Sequence, residues 1–554
     1  MKKLFILFAL VTLTARSQQW NGLTYYSNMG SSTGYLIDTN SVTQKTWTFS
    51  VGTGYSTHMM PGGFIWRTCT NSNVLTGGGM TGRIQKLDYA GTILWDYTYS
   101  TSTYCIHHDH CPLPNGNVLV ISYDVRNATD IANAGCTTSL TTIWAEKILE
   151  LQPTGLNTAN IVWQWNVWDH TCQSTDNTKT NYVSSVVNNP QLLNVNYMMQ
   201  KDWMHMNGID YNPVLDQISL SSHNLNEWYV IDHSTSTAQA ATHVGGIAGK
   251  GGDFLYRWGN PPAYQAAGTK ILNVTHDAHW IPEGSPNAGY LVAVNNGGAT
   301  GPKTTIDQVS VPRSGFNYTI TSGNAYSPAS YTLRHTSTGY TSNMGSSDQF
   351  PNGNQMVCLA TAGQIYEIDA LGNVLWSKAT SGSTPQSHRY TTCFINNAAP
   401  SAPTISASGN TLTSTSGVTY QWYFNGDAIP LATNQSYVAT QNGYYLVRIT
   451  DVNGCVYVYS SNYPYGVSTG IDQVSLKSKF DLFPNPTNGI VTINEDYFTG
   501  TDYDVTVYDS FGKELFKIKN AATIDLGNLN AGVYFVSVIA DNGTHINQKI
   551  CLVK

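Results

Sequence analysis

Apolar and polar residues alternate along most of the chain in runs of four to six, separated by Gly, Asn and Asp turns. A period of two predicts strands, and the 3.6-residue period of helices is nearly absent. The runs recur as a phrase: a strand ending in an apolar residue and Asp, a Gly turn, then a strand carrying tryptophan. Arg83–Trp95 and Gln364–Trp376 are its clearest copies. Weaker ones run from Lys147 through Leu151 and Gly155 to Trp163, from Tyr229–Asp232 to Tyr256–Trp258, and from Tyr35–Asp38 to Trp47. A Pro-Asn-Gly-Asn lead-in occurs at Pro114–Asn117 and Pro351–Asn354. Six units begin near Leu23, Met60, Leu113, Met206, Ile281 and Phe350. Short strands, turns and one aromatic per unit predict an all-β fold, a six-bladed β-propeller over residues 18–397 that closes into a ring near Phe394.

The pattern changes after the linker Asn396–Pro403. Residues 398–466 carry Trp422 on an alternating strand and the run Gly443–Ile449, which predicts an immunoglobulin- or PKD-like β-sandwich used for spacing or surface adhesion. Residues 467–554 predict a further small β-sandwich. At the other end, Lys2-Lys3, the apolar run Leu4–Val11 and Ala15-Arg16-Ser17 read as a signal peptide over residues 1–17. That run is about half of what a membrane span needs, and no other stretch is long enough.

Composition agrees with export. Charged residues are 11% of the chain, against about 25% in an ordinary soluble protein. A net charge of −7 over 554 residues leaves no basic footprint for nucleic acid. Nine cysteines in an exported chain predict disulfides, and we expect Cys105 to pair with Cys111 and Cys136 with Cys172. No spacing of cysteines suggests a zinc site, so neither metal nor cofactor is expected.

The chemistry lies in the histidines. Thr275–Gly284 and His107–Gly116, aligned on Pro282 and Pro114, place His276 on His108; Asp202–Asp210 is a third relative carrying His205. One position reused in several blades predicts that His108, His205 and His276 converge on the axis, with Asn207 on the face of His205. Converging imidazoles serve two chemistries, metal binding and nucleophilic or acid–base catalysis. His107, His110 and His279 read as loop supports and His170 as structural. Asp38, Asp88 and Asp369 read as blade architecture, and Gly77-Gly78-Gly79 as a turn.

Taken in order, these phrases resemble the arylsulfate sulfotransferases over about 370 residues. They are His107-His108-Asp109 with Leu113–Asn117, Trp163-x-Trp165 with Asp169-His170, Asp202–Asn207, Ser221-Ser222, Arg257–Pro261, His276-Asp277 with Asn295-Asn296-Gly297, and Phe350–Asn354. The resemblance implies a six-bladed propeller that moves a sulfuryl group from a phenolic sulfate ester to a phenol without a nucleotide sulfate donor. It implies His276 as the transiently sulfated nucleophile in ping-pong turnover, with His205, His108 and Asn207 beside it. One position departs: where the family carries arginine after the Ser pair, this chain has His223, a weaker and pH-dependent cation. His223 is therefore the substrate-binding candidate, with Arg257, Arg334 or Arg389 as arginines that could compensate. Phe483–Gly489, Tyr508-Asp509 with Gly512, and Leu529–Tyr534 resemble the C-terminal sorting domain of type IX secretion substrates, which implies release or attachment at the outer surface by way of the periplasm. Two other classes fit a secreted propeller: a non-catalytic binder of glycan, peptide or a surface partner, and a quinoprotein-like or metal-dependent enzyme, for which no carboxylate cluster suited to calcium is present in the sequence.

Overall fold

The computed structural model describes residues 18–467, 482–493, 502–509, 513–540 and 545–554. The signal-peptide reading and Gly512 lie outside the described residues. The chain divides into two compact units, one up to Gly466 and one from Val467.

The first unit is built on six four-stranded antiparallel sheets. The inner strands of sheets two to six are Thr53–Met60, Tyr104–Pro112, Met206–Asn212, Thr275–Trp280 and Ser346–Gln349. Sheet one is composite: its inner strand, Ser387–Tyr390, comes from the end of the ring and pairs with the first strand, Leu23–Ser27. Each inner strand packs on the next, and that of sheet six packs on that of sheet one, so the cycle closes. Closure leaves no exposed inner edge and ties the two ends of the ring together.

The two-residue period explains the packing. Alternate side chains of one sheet point to opposite neighbours, so Ile65 joins a core with Tyr25, Leu36 and Trp47 of sheet one. Trp66, the next residue, joins Ile106, Val118 and Leu149 of sheet three. Buried side chains of this size contribute roughly 1.5–3 kcal/mol each. The recurrent tryptophans do more than fill space. Each indole N–H donates to the following sheet: Trp47 to the Tyr89 carbonyl at 2.9 Å, Trp95 to Thr158 at 3.0 Å, Trp163 to the Thr235 hydroxyl at 3.2 Å, Trp258 to Pro328 at 2.8 Å, and Trp376 to the Ser41 hydroxyl at 3.1 Å. The outer strand of sheet five, Leu333–Thr336, has no tryptophan; there His335 Nε2 meets the Tyr366 hydroxyl at 3.0 Å.

His233 bridges sheets three and four. Its Nδ1 is 2.8 Å from Asp216 and its Nε2 3.1 Å from Glu150, with the rings of Trp163 and Tyr211 against it. Burial alone would lower its pKa, but the two carboxylates override burial and raise it to about 9. A folded pKa above the unfolded one gives stability that is complete below about 6.5 and lost as pH rises through the folded pKa, here at most about 3 kcal/mol. His233→Gln should therefore lower the melting temperature clearly at about pH 6 and much less at about pH 10, measured side by side with the unsubstituted protein.

After the ring, a short helix, Thr392–Asn396, leads into two further sheets of three and five strands. Trp422, Leu412, Tyr445 and Val447 form their buried core. Glu283 holds this module to sheet five, accepting from Tyr423 at 2.5 Å and Tyr459 at 3.1 Å and pairing with Arg448 at 2.7 Å. A disulfide, Cys393–Cys455, closes the junction. The expected pairs are corrected: Cys105, Cys111, Cys136 and Cys172 are free thiols. Cys105 and Cys111 share one strand, where six residues span about 20 Å, far beyond disulfide reach. The second unit, taken by itself, has a three-stranded and a four-stranded sheet around Leu482, Val491, Val505, Ile524, Val536 and Leu552.

Candidate functional site

The histidines reach the axis because the inner strands are broken where they sit. Between the pairs Ile106–Ser122 and His110–Val120, three residues oppose one. Between His276–Val294 and His279–Val292, two oppose one, and Asn207 is the extra residue between Met206 and Gly208. Such bulges re-aim side chains. They place His108 at φ 51° and Asp277 at φ 60°, and just ahead of the inner strands His205 stands at φ 51° and Val274 at φ 57°, a left-handed conformation that a β-branched residue such as valine strongly disfavours.

His108, His205, His223 and His276 form a continuous row. Ring centroids are 4.6 Å apart from His108 to His205, 5.0 Å from His205 to His223 and 5.6 Å from His223 to His276. The hydrogen bonds around the row fix the proton positions. Asn296 donates its amide to the Thr341 and Met344 carbonyls, so its Oδ1, 2.7 Å from His276 Nδ1, accepts. His276 Nδ1 carries the proton and Nε2 the lone pair; the Met344 N–H caps that nitrogen at 3.2 Å. His205 Nδ1 donates to Asp202 at 2.6 Å, with the Tyr123 hydroxyl 3.3 Å away. Burial raises the pKa of Asp202, but the hydrogen bond from His205 outweighs it and the carboxyl sits below its ordinary range.

Behind His108 lies a buried chain. Glu146 Oε2 is 2.9 Å from His107 Nε2, and His107 Nδ1 is 2.8 Å from His108 Nδ1. Burial pushes Glu146 well above the usual carboxylate range. The protonated acid then donates to His107, His107 donates to His108, and His108 is left with its N–H at Nε2. Burial, reinforced by the neighbouring imidazoles, holds His276 and His108 well below the ordinary histidine value. Burial and then His205 lower His223 as well, and its Nδ1 is 2.7 Å from Asn224 Oδ1. His108, His223 and His276 are thus neutral imidazoles.

Asn207 is fully buried and does not face the row. Its amide donates to the Thr275 carbonyl at 2.8 Å and its oxygen accepts from Ser221 at 2.6 Å. It clamps the residue preceding His276. The three arginines named as substitutes are spent in the framework: Arg257 on Glu227, Arg334 on Asp307 and Arg389 on Glu367. His170 pairs with Asp253 and the Ala240 carbonyl away from the row. His279 bonds the Asp277 carbonyl.

The sequence reading missed two parts of the site. Asn296 and Met344 set the protonation of His276, and the Gly77–Gly79 run covers the row. A Cβ on Gly79, at φ +65°, would lie 2.0 Å from His108 Nε2, and one on Gly78 would lie 3.0 Å from His205 Cε1. Only glycine lets the backbone approach this closely, and the unusual triple glycine was the signal. Gly79→Ala should displace His108 and lower turnover by about 100-fold; steady-state kinetics with a matching circular dichroism spectrum checks this.

The fold and the row define a class: a β-propeller with a row of axial histidines drawn from successive sheets. The chain belongs to the arylsulfotransferase (ASST) family, whose model matches residues 14–374, and is thus of the sulfotransferase type. Residues 481–553 match the secretion system C-terminal sorting domain, the type IX signal that directs export to the cell surface or beyond. No curated protein matches the chain. Solved structures resemble it weakly. A putative 6-phosphogluconolactonase from Bacteroides fragilis is 10% identical with a TM-score of 0.34, over 67% of this chain and 98% of that one. The periplasmic gluconolactonase of Pseudomonas aeruginosa is 9% identical with a TM-score of 0.27, over 96% of this chain and 100% of that one. The Dos1 propeller is 10% identical with a TM-score of 0.26, over 80% of this chain and 96% of that one. Among the described residues, no helix is long and apolar enough to cross a membrane.

Proposed function

We propose that this protein is a secreted aryl-sulfate sulfotransferase that passes a sulfuryl group from a phenolic sulfate ester to a phenol by way of a sulfated His276, without a nucleotide sulfate donor. The observation that carries the reading is the row of four imidazoles ending in a neutral His276 whose lone pair is fixed at Nε2. His276 Nε2 attacks sulfur in line; the N–S bond forms as the bond from sulfur to the phenolic oxygen breaks. The transition state is loose, with charge on the sulfuryl oxygens and the departing oxygen. The His108 Nε2–H is a donor for those oxygens, joined by the Met344 N–H once the His276 Nε2 lone pair turns from it to sulfur. His205, its Nδ1–H held by Asp202, enters the step with a proton on Nε2 as well; it gives that proton to the leaving phenolate and takes one back from the incoming phenol, which then receives the sulfuryl group as the N–S bond breaks. Asn207 acts as a positioning residue through Thr275.

His223 changes the balance. His223 stands as a neutral imidazole where the family has arginine, and its Nδ1 proton goes to Asn224, so the sulfuryl oxygens lose the fixed charge. It also favours a second reading, a propeller that binds sulfated phenols without turning them over. Mixing the intact protein with 4-nitrophenyl sulfate and a phenol, and following nitrophenolate release, separates the two. The enzyme reading requires acceptor-dependent release and parallel double-reciprocal plots. Saturable binding of the ester with no release would leave the binding reading.

A further inference from the structure

Past the histidine row, about 7 Å further along the inner strand of sheet three, lies a second constellation that sulfuryl transfer does not use. His58 comes from the inner strand of sheet two, Asp109 and His110 from that of sheet three. Their ligand atoms all lie within 4.8 Å of one another. His58 Nε2 is 3.3 Å from Asp109 Oδ1, and the His58 and His110 rings stand 4.9 Å apart at 70°. His388, from the strand that closes the ring, packs on His58 at 4.9 Å.

Two nitrogens here make no hydrogen bond of ordinary length among the described residues. His110 is completely buried; Ser56 takes its Nδ1 at 2.7 Å, and its Nε2 makes no hydrogen bond of ordinary length, the Trp66 backbone being the other polar group that acts on the ring. Asp348 takes His388 Nδ1 at 2.9 Å, and His388 Nε2 is likewise unpartnered. Buried imidazole nitrogens are costly to leave so. An imidazole held by a carboxylate through one nitrogen, with the other free, is how metal-binding histidines are oriented. Asp109 is also prepared: its Oδ2 is taken by Ile209 N–H at 3.3 Å and Gln386 at 3.2 Å. Its Oδ1 faces His58 and accepts the His110 N–H at 2.9 Å.

We propose that His58, Asp109 and His110 form an axial site for a divalent transition metal of the zinc type, and that His388, which packs on His58 but lies outside the 4.8 Å cluster, swings in as its fourth ligand. Three imidazoles and one carboxylate match the donor preference and coordination number of that ion. The metal joins sheets two and three to the closing strand of sheet one, stapling the ring where its two ends meet. The site is independent of the sulfuryl-transfer reading.

The test uses the intact secreted protein, stripped with chelator, dialysed and titrated with Co²⁺ and then Zn²⁺. One equivalent of Co²⁺ should give visible ligand-field bands that Zn²⁺ abolishes, and Zn²⁺ should raise the melting temperature. His58→Gln and His110→Gln should each weaken binding more than about 100-fold. Asp348→Asn, which leaves every ligand in place, should weaken it by about 10–100-fold. His205→Ala and His276→Ala should bind as the unsubstituted protein does. The proposal is overturned by a stripped protein that takes up no stoichiometric metal. It is equally overturned by uptake that survives both the double His58→Gln/His110→Gln variant and Asp348→Asn. Uptake lost only with His205→Ala and His276→Ala, or only with a His243→Gln change in the His170–His243–Asp253 cluster, also places the metal elsewhere.

Discussion

Substituting His276 by alanine removes acceptor-dependent sulfuryl transfer, with a loss on the order of 10⁴-fold or more in kcat, as expected when the covalent nucleophile of a group-transfer enzyme is deleted. The fold should tolerate the change, because Asn296 keeps its two carbonyl partners, Thr341 and Met344, without the ring. The diagnostic signature is chemical: intact-mass analysis after brief mixing with 4-nitrophenyl sulfate should show an added sulfuryl group on the unsubstituted protein and none on the variant. Asn296→Ala offers a graded control. It leaves the nucleophile but frees the tautomer that Asn296 imposes, and should cost about 100-fold. The pH dependence follows from sign alone. Burial holds the His276 imidazole neutral well below its usual range, so the acid limb of kcat/KM for the nucleophile should lie well below pH 6.5, the unperturbed histidine value. Full transfer surviving in His276→Ala would discard the nucleophile and leave the reaction class to another imidazole of the row.

The sequence made the frame legible for a physical reason. The tryptophans recur because each bonds across to the next sheet, a bond found at five of the six interfaces. Trp163 and Trp376 could thus be aligned although little else in their repeats agrees. The histidines were legible as a reused position for a related reason: the start of each inner strand lies at the axis, and His223, reached from the end of the second strand of sheet four, was found only through the resemblance. Their exact phase was not legible. The bulge in sheet three carries one residue more than that in sheet five, so aligning Pro114 with Pro282 pairs His108 with His276 while the left-handed residues are His108 in one and Asp277 in the other. Asn207 was placed beside His205 by strand alternation, and the bulge turned it toward Thr275 instead. The Cys105–Cys111 pairing failed because proximity in sequence along a strand means separation in space.

Arg257 illustrates the same limit and carries the largest stability effect. In sequence it was an arginine that could compensate for His223; in the structure it is wholly buried with Glu227 and forms a two-pronged pair, Nε to Oε1 at 3.1 Å and Nη2 to Oε2 at 2.6 Å. Its remaining N–H groups hold the carbonyls of Leu192 at 2.8 Å and Pro190 at 3.3 Å, and the Tyr229 hydroxyl completes Glu227 at 2.9 Å. Removing one member leaves a buried charge without its counter-ion, so Arg257→Ala should destabilise by about 3–5 kcal/mol. Lysine has no fork and cannot serve Glu227 and both carbonyls together, so Arg257→Lys should recover little of that. A paired Glu227→Gln/Arg257→Met change removes both charges and should lie closer to the unsubstituted protein than either single change, a coupling read from denaturant unfolding followed by the fluorescence of Trp228 and Trp258. At a temperature where the variants remain folded, kcat should be unchanged, because Arg257 makes no contact with the histidine row. A large loss of kcat in a fully folded Arg257→Lys protein would mean that its guanidinium reaches the sulfuryl oxygens during turnover, and His223 would then not be the only group standing in for the family arginine.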